Sequence, residues 1–189
     1  MNGPEELAAI RRCKTGDKVA FRLLAERYEN ILFGIAYLMT HNRDAAADAV
    51  QEAFLKMWKY IPSLRDENGL KAWLVRILIN EVKQQKRKKH LPTIPFDQVS
   101  ENTCGNDIQT DIERNELQET VRKAVHMLVD DQKQVVVLHY FGGLTIAEIA
   151  VAMKCRKGTI KSRLSRALKH LAVILDENKA IGFREEMGR

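Results

Sequence analysis

The chain has 189 residues, with 31 Lys or Arg against 25 Asp or Glu, and so carries a formal charge of +6. A pI near 9.3 suits a polyanionic partner, while 45% hydrophobic residues suffice for a packed core and argue against global disorder. Cys13, Cys104 and Cys155 are scattered and odd in number, and the five histidines show no metal-ligand spacing. The composition therefore points away from a disulfide scaffold, a metal centre and an enzyme with a visible nucleophile or phosphate loop, and no cofactor is expected. Reduced thiols suggest the cytoplasm. Residues 1–20 carry Glu5, Glu6, Arg11, Arg12, Lys14 and Asp17, which is unlike a signal peptide. Apolar runs such as 31–39 are too short to insert in a membrane.

Long stretches between the four prolines carry helical periodicity, and none alternates as a strand would, so the chain reads as all-α. Residues 5–61 should hold two or three helices. One runs through Phe21, Leu24, Tyr28, Ile31, Leu32, Ile35 and Leu38. The next is capped by Asn42 or Asp44 and runs through Ala46, Val50, Phe54, Met57 and Trp58. Residues 62–69 are rich in turn formers. A helix over 70–89 follows, with Trp73, Leu74, Ile77, Leu78 and Val82 on its apolar side. Its end is basic (Lys83, Lys86, Arg87, Lys88, Lys89), which the helix dipole explains in part.

Residues 91–112 break the periodicity with Pro92, Pro95 and several turn formers. They read as a flexible linker between two small helical domains, 5–90 and 113–175, with a tail at 176–189 of no assignable function.

The most specific signal lies at 144–171, LTIAEIAVAMKCRKGTIKSRLSRALKHL. Thr145 and Glu148 are spaced as a capping box, and Ile149, Ala150 and Met153 form an apolar face. After a break at residues 154–156, Ile160, Leu164, Leu168 and Leu171 form a second apolar stripe. Lys157, Lys161, Ser162, Arg163, Ser165, Arg166 and Lys169 lie between them, and no acidic residue occurs from Arg156 to His170. Two short helices with a tight turn describe a helix-turn-helix, whose second helix would enter the major groove. A merely solvated helix usually mixes charge signs for i,i+4 pairing; a single-sign face suits phosphate.

Both halves together resemble the extracytoplasmic-function branch of the bacterial sigma-70 family. DAAADAVQEAFLKMWK is similar to that family's AEDxxQExF segment, and KAWLVRILINEVKQQKRKK to its WLxxIxxN helix. Residues 128–171 resemble LPxxxRxVxxLxxxxGLSxxEIAxxLGxSxGTVKSRLxRAxxxL, so the likeness covers about residues 16–175. It implies a promoter-specificity subunit that binds RNA polymerase core enzyme and promoter DNA, and that an anti-sigma factor holds inactive. By the same resemblance Asp48, Gln51 and Glu52 would dock on core polymerase, and Asn80, Lys83, Lys86 and Arg87 would serve the −10 element. The 62–71 loop would receive a flipped base. Thr159, Lys161, Ser162, Arg163, Ser165 and Arg166 would serve the −35 element, with Ser165 and Arg166 reading bases and Thr159, Lys161 and Arg163 gripping phosphate.

Several residues depart from the pattern. Ala47 stands for Glu, Val129 and Lys133 for Pro and Arg, Lys154 for a Gly at a turn position that favours positive φ, and Gln84 for Asp. Arg156 replaces a capping Ser, which leaves a cation at the unfavourable end of the helix dipole, where DNA phosphate is expected to satisfy it. A DNA-binding regulator with no polymerase role, and more remotely a nuclease or recombinase subunit, are the competing readings.

Overall fold

The structure, a computed structural model, describes residues 3–89 and 112–187, and every regular element among them is helical. The first domain is a four-helix bundle. In α1 (Pro4–Lys14), proline opens the first turn, Glu5 and Glu6 follow it, and Arg11, Arg12 and Lys14 close the last turn, in keeping with the dipole. Asp17 caps α2 (Lys18–Thr40) by accepting from the Val19 and Ala20 N–H groups. The Ala20 hydrogen bond, then Arg12, hold its carboxyl below the usual range.

His41 ends α2 in the left-handed region, at φ 53°. Asn42, the first of the two caps expected, accepts from the Ala45 N–H at 2.8 Å and starts α3 (Arg43–Tyr60). Two 3-10 turns, Ile61–Ser63 and Glu67–Gly69, then lead into α4 (Leu70–Lys89), the span the sequence indicated. Helix α1 braces this loop: Lys14 donates to the Leu64 carbonyl at 3.0 Å, and Arg11 pairs with Glu67 at 2.9 Å.

Ile10, Leu24, Leu32, Ile35, Met57 and Leu78 are buried between these helices. Within that core, the Tyr28 hydroxyl donates to the buried Glu6 carboxylate, with Arg27 3.5 Å from it. The buried acid is thus hydrogen-bonded and paired, as burial of a charge requires. Burial, and then Glu6 itself, push the Tyr28 hydroxyl well above the usual phenol range.

The second domain comprises α5 (Ile112–Met127), α6 (Asp130–Val136), α7 (Ile146–Ala152) and α8 (Lys157–Met187). Helix α6 widens into a π-helical turn, Val137–Phe141, that ends at Gly142 and Gly143. A Cβ at 142 would sit 2.6 Å from the Leu138 carbonyl oxygen, and Gly143 has φ +61°, so the chain can turn there only with glycine. The capping box forms: the Thr145 hydroxyl accepts from the Glu148 N–H, and the Glu148 carboxylate accepts from the Thr145 N–H.

Two details differ from the sequence expectation. Helix α8 runs unbroken past residue 175, so the backbone of 176–187 continues that helix instead of forming a separate tail. Leu168 is 41% exposed and Ala167 is fully buried in its place. Seven residues fall within about 20° of two full turns, so 167 lies directly below the buried Ile160. The linker assigned to 91–112 lies outside the described residues except for its last position.

The two domains touch. Helix α2 packs on α5 and the π-helical turn, and α4 packs on α7. At their margin Lys86 of α4 pairs with Asp130 of α6 at 2.9 Å.

Candidate nucleic-acid interface

The reader helix is built by opposition of its two faces. Ile160 and Ala167 are fully buried and Leu164 half-buried against the domain, while Lys161, Ser162, Ser165 and Arg166 are exposed. The turn before it depends on Lys154, which adopts φ 53° where the sequence had suggested a residue of positive φ. The Arg156 carbonyl accepts from the Thr159 and Ile160 N–H groups, which places Arg156 at the helix entrance with its side chain exposed.

Thr159 is half-buried, and its carbonyl accepts from the Ser162 hydroxyl at 3.0 Å. Arg166 folds back onto the Ser162 carbonyl at 3.3 Å. These local bonds align one stripe of hydroxyls and cations on the outer face. Arg163, expected among the phosphate grips, turns the other way. Its guanidinium pairs with Asp131 of α6 at 2.5 Å and its side chain is only 21% exposed. Packing, not solvent, claims this cation. His170 and Gln132, 2.9 Å apart, make a second tie between α8 and α6.

On α4 the expected residues separate into two groups. Asn80, Lys83 and Arg87 line one cavity of about 290 Å³ with Lys56 and Tyr60 of α3. Positions 80, 83 and 87 fall on one helical face, whereas Lys86 points to the second domain and Asp130. The Lys86 hydrogen bond holds the Asp130 carboxyl below its ordinary range. Glu81, buried, lines the same cavity and pairs with Lys56 at 2.6 Å, which fixes α3 against α4. Residues 62–71 form none of this cavity's walls.

Asp48, Gln51 and Glu52 are exposed along one stripe of α3, as their spacing required. Leu55, one turn further, is 56% exposed and extends the stripe with an apolar contact surface. The sequence reading missed Leu55 and Tyr60. Tyr60, the last residue of its helix, meets Asn80 only through antiparallel pairing of α3 with α4, which no local spacing encodes. Among the described residues no group of His, Cys, Asp or Glu is gathered as a metal site, and no helix is long and apolar enough to cross a membrane.

Fold and surfaces together define a two-domain, all-helical protein of the helix-turn-helix class. Residues 24–91 match Sigma-70 region 2, and residues 118–171 match Sigma-70, region 4. The RNA polymerase sigma-H factor of Pseudomonas aeruginosa is 31% identical over 168 residues, covering 84% of this chain and 87% of that one. The ECF RNA polymerase sigma-E factor of Haemophilus influenzae is 32% identical over 170 residues, covering 85% and 89%. The chain therefore belongs to the sigma-70 family, in its extracytoplasmic-function branch.

Solved structures agree in fold. CnrH, in complex with the cytosolic domain of CnrY, superposes with a TM-score of 0.69 at 22% identity, over 91% of this chain and 97% of that one. The sigma factor RpoE of Bartonella quintana, in complex with the anti-sigma factor NepR, gives 0.62 at 28% identity, over 80% and 95%.

Proposed function

We propose that this chain is an alternative sigma factor that joins core RNA polymerase and selects promoters through its two DNA-facing surfaces. One observation carries the reading: the outer face of α8 is cationic and hydroxylic without a single carboxylate from Arg156 to His170, over a fully buried Ile160 and Ala167. Such a face gains from displacing counterions at phosphate and would be an unusual investment on a helix facing only water.

In this assignment Ser165 and Arg166 reach base edges of the −35 element, with Ser162 beside them. Lys161 and Thr159 lie against phosphate, and Arg163 orients the helix through Asp131. A bidentate Arg contact would discriminate its base by about 1–3 kcal/mol. At the −10 element, an unstacked base would lie against the Tyr60 ring with Asn80 at its edge, while Lys83 and Arg87 hold the strand. Lys86 joins them once it leaves Asp130. The stripe of Asp48, Gln51, Glu52 and Leu55 would dock on core polymerase by pairing with a basic surface around an apolar contact.

The chain acts by binding and not by catalysis, in the cytoplasm where its polymerase works. An anti-sigma factor is its expected inhibitor, by likeness to the complex of RpoE with NepR. Binding of the full chain to σ-free core polymerase, measured by fluorescence anisotropy, tests this proposal. Tight binding that weakens in a Glu52→Lys variant is expected; absence of binding by the folded wild-type chain would overturn it.

A further inference from the structure

Two histidines meet where the domains touch. His41 is the left-handed residue closing α2, His126 lies in the last turn of α5, and their ring centroids are 3.6 Å apart. Tyr37, one turn earlier on α2, lies beside His41. The pair borders a cavity of about 330 Å³ that Arg122 and Lys123 of α5 also line. From α6, the Lys133 ammonium lies 3.5 Å from His126 Nδ1. From α4, Lys86 and Lys83 act on the same corner, where Asp130 is engaged by Lys86 at 2.9 Å.

The geometry favours one protonation state. An ammonium can only donate, so a hydrogen bond across that 3.5 Å has His126 Nδ1 accepting and the ring neutral with its proton on Nε2. Protonating Nδ1 would replace that hydrogen bond with two cations at contact distance. A proton on either ring also places a cation against the other imidazole, and protons on both would set two like charges about 4 Å apart.

We propose that the His41–His126 contact is a pH-sensitive latch, which holds the second domain on the first while His126 is neutral and releases it when His126 is protonated. Burial, then Lys133, then Lys86 hold His126 below the ordinary imidazole range. The two helix C-termini favour a cation here and act in the opposite sense, but they are diffuse, whereas Lys133 is in contact.

The sign follows from linkage. In the open form His126 returns to an ordinary value of about 6.5. Its contribution to closure is complete above that value and is lost as pH falls toward the lower closed-form value. Between the two, one such group changes the closed-to-open ratio by about tenfold per pH unit. Opening separates Lys86 from Asp130 and uncovers the side of α4 that α7 covers. Mild acidification would thus deploy DNA-binding groups, a consequence that rests on the sigma-factor reading, although the latch itself does not.

Small-angle X-ray scattering of the full chain from pH 8 to pH 5 at constant ionic strength tests the latch. The radius of gyration should rise as pH falls below the ordinary imidazole value of about 6.5, with helicity by circular dichroism unchanged. A His126→Gln variant should lose that pH response, whether it settles closed or open. Should that variant fail to fold, the imidazole proton shifts of the wild-type chain decide: His126 should titrate below the ordinary range and in step with the change in size. Constant dimensions from pH 8 to 5, a His126→Gln variant that follows the wild-type curve, or expansion only below about pH 4, where Asp130 would be responsible, would each overturn the proposal.

Discussion

Arg163 and Lys161 lie two residues apart on the same helix, yet Arg163 pairs inward with Asp131 while Lys161 is exposed. In Arg163→Ala the guanidinium leaves Asp131, whose side chain is 59% exposed, so solvent screening limits that pair to about 0.5–1 kcal/mol. Loss of the packed aliphatic stem adds about 1 kcal/mol. A total near 1–2 kcal/mol should lower the melting temperature by about 3–6 °C in a chain of this size. The salt dependence of binding to a −35 duplex should hardly change if Arg163 of the wild-type chain stays on Asp131. Lys161→Ala should do the reverse, leaving the melting temperature within a degree or so and reducing the slope of log K against log salt by about 0.9. Paired thermal melts and salt titrations measure both quantities. If Arg163→Ala lost the full phosphate slope with an unchanged melting temperature, the inward role assigned to Arg163 would be wrong.

Two glycines should respond in opposite directions to alanine in denaturant titrations. Gly142→Ala drives a Cβ to 2.6 Å from the Leu138 carbonyl and should cost about 1–3 kcal/mol, whereas Gly158→Ala meets open space in a helix and should stabilise by about 0.5–1 kcal/mol. Arg156→Ser supplies the missing cap, so the free protein should gain about 1 kcal/mol while its affinity for duplex DNA falls; tighter DNA binding would contradict the phosphate role of Arg156. Asp48→Lys combined with Glu52→Lys should weaken core-polymerase binding by tenfold or more and leave stability within about 0.5 kcal/mol, as both positions are exposed. Unchanged core affinity would move the docking surface off α3.

What the sequence made legible was local. The Asn42 cap, the Thr145–Glu148 box, the left-handed Lys154 and the bounds of α4 each follow from neighbours within one or two turns, where side-chain chemistry decides the backbone. What it hid was set by long-range packing. Helical period alone could not say that Ala167, not Leu168, would lie beneath Ile160, because the close approach of α8 to α6 makes that choice. Nor could it foresee Asp131 capturing Arg163, or Asp130 meeting Lys86 across 44 positions. The cavity shared by Tyr60 and Asn80 arises only when α3 and α4 lie antiparallel. Of the candidate site, the outer stripe of α8 and the acidic stripe of α3 were legible, while the division of the α4 cations between a cavity and a domain contact was not.

The central claim, that this chain confers promoter choice on RNA polymerase, is tested most directly by in-vitro transcription. Core enzyme free of other sigma factors would transcribe a genomic fragment library with and without the protein, and transcript 5′ ends would be mapped. New, discrete start sites sharing two upstream elements are expected, and they should vanish when Ser165 and Arg166 are both replaced by alanine. A start-site map that the protein leaves unchanged would contradict the sigma-factor account and return residues 144–171 to the role of an ordinary DNA-binding regulator.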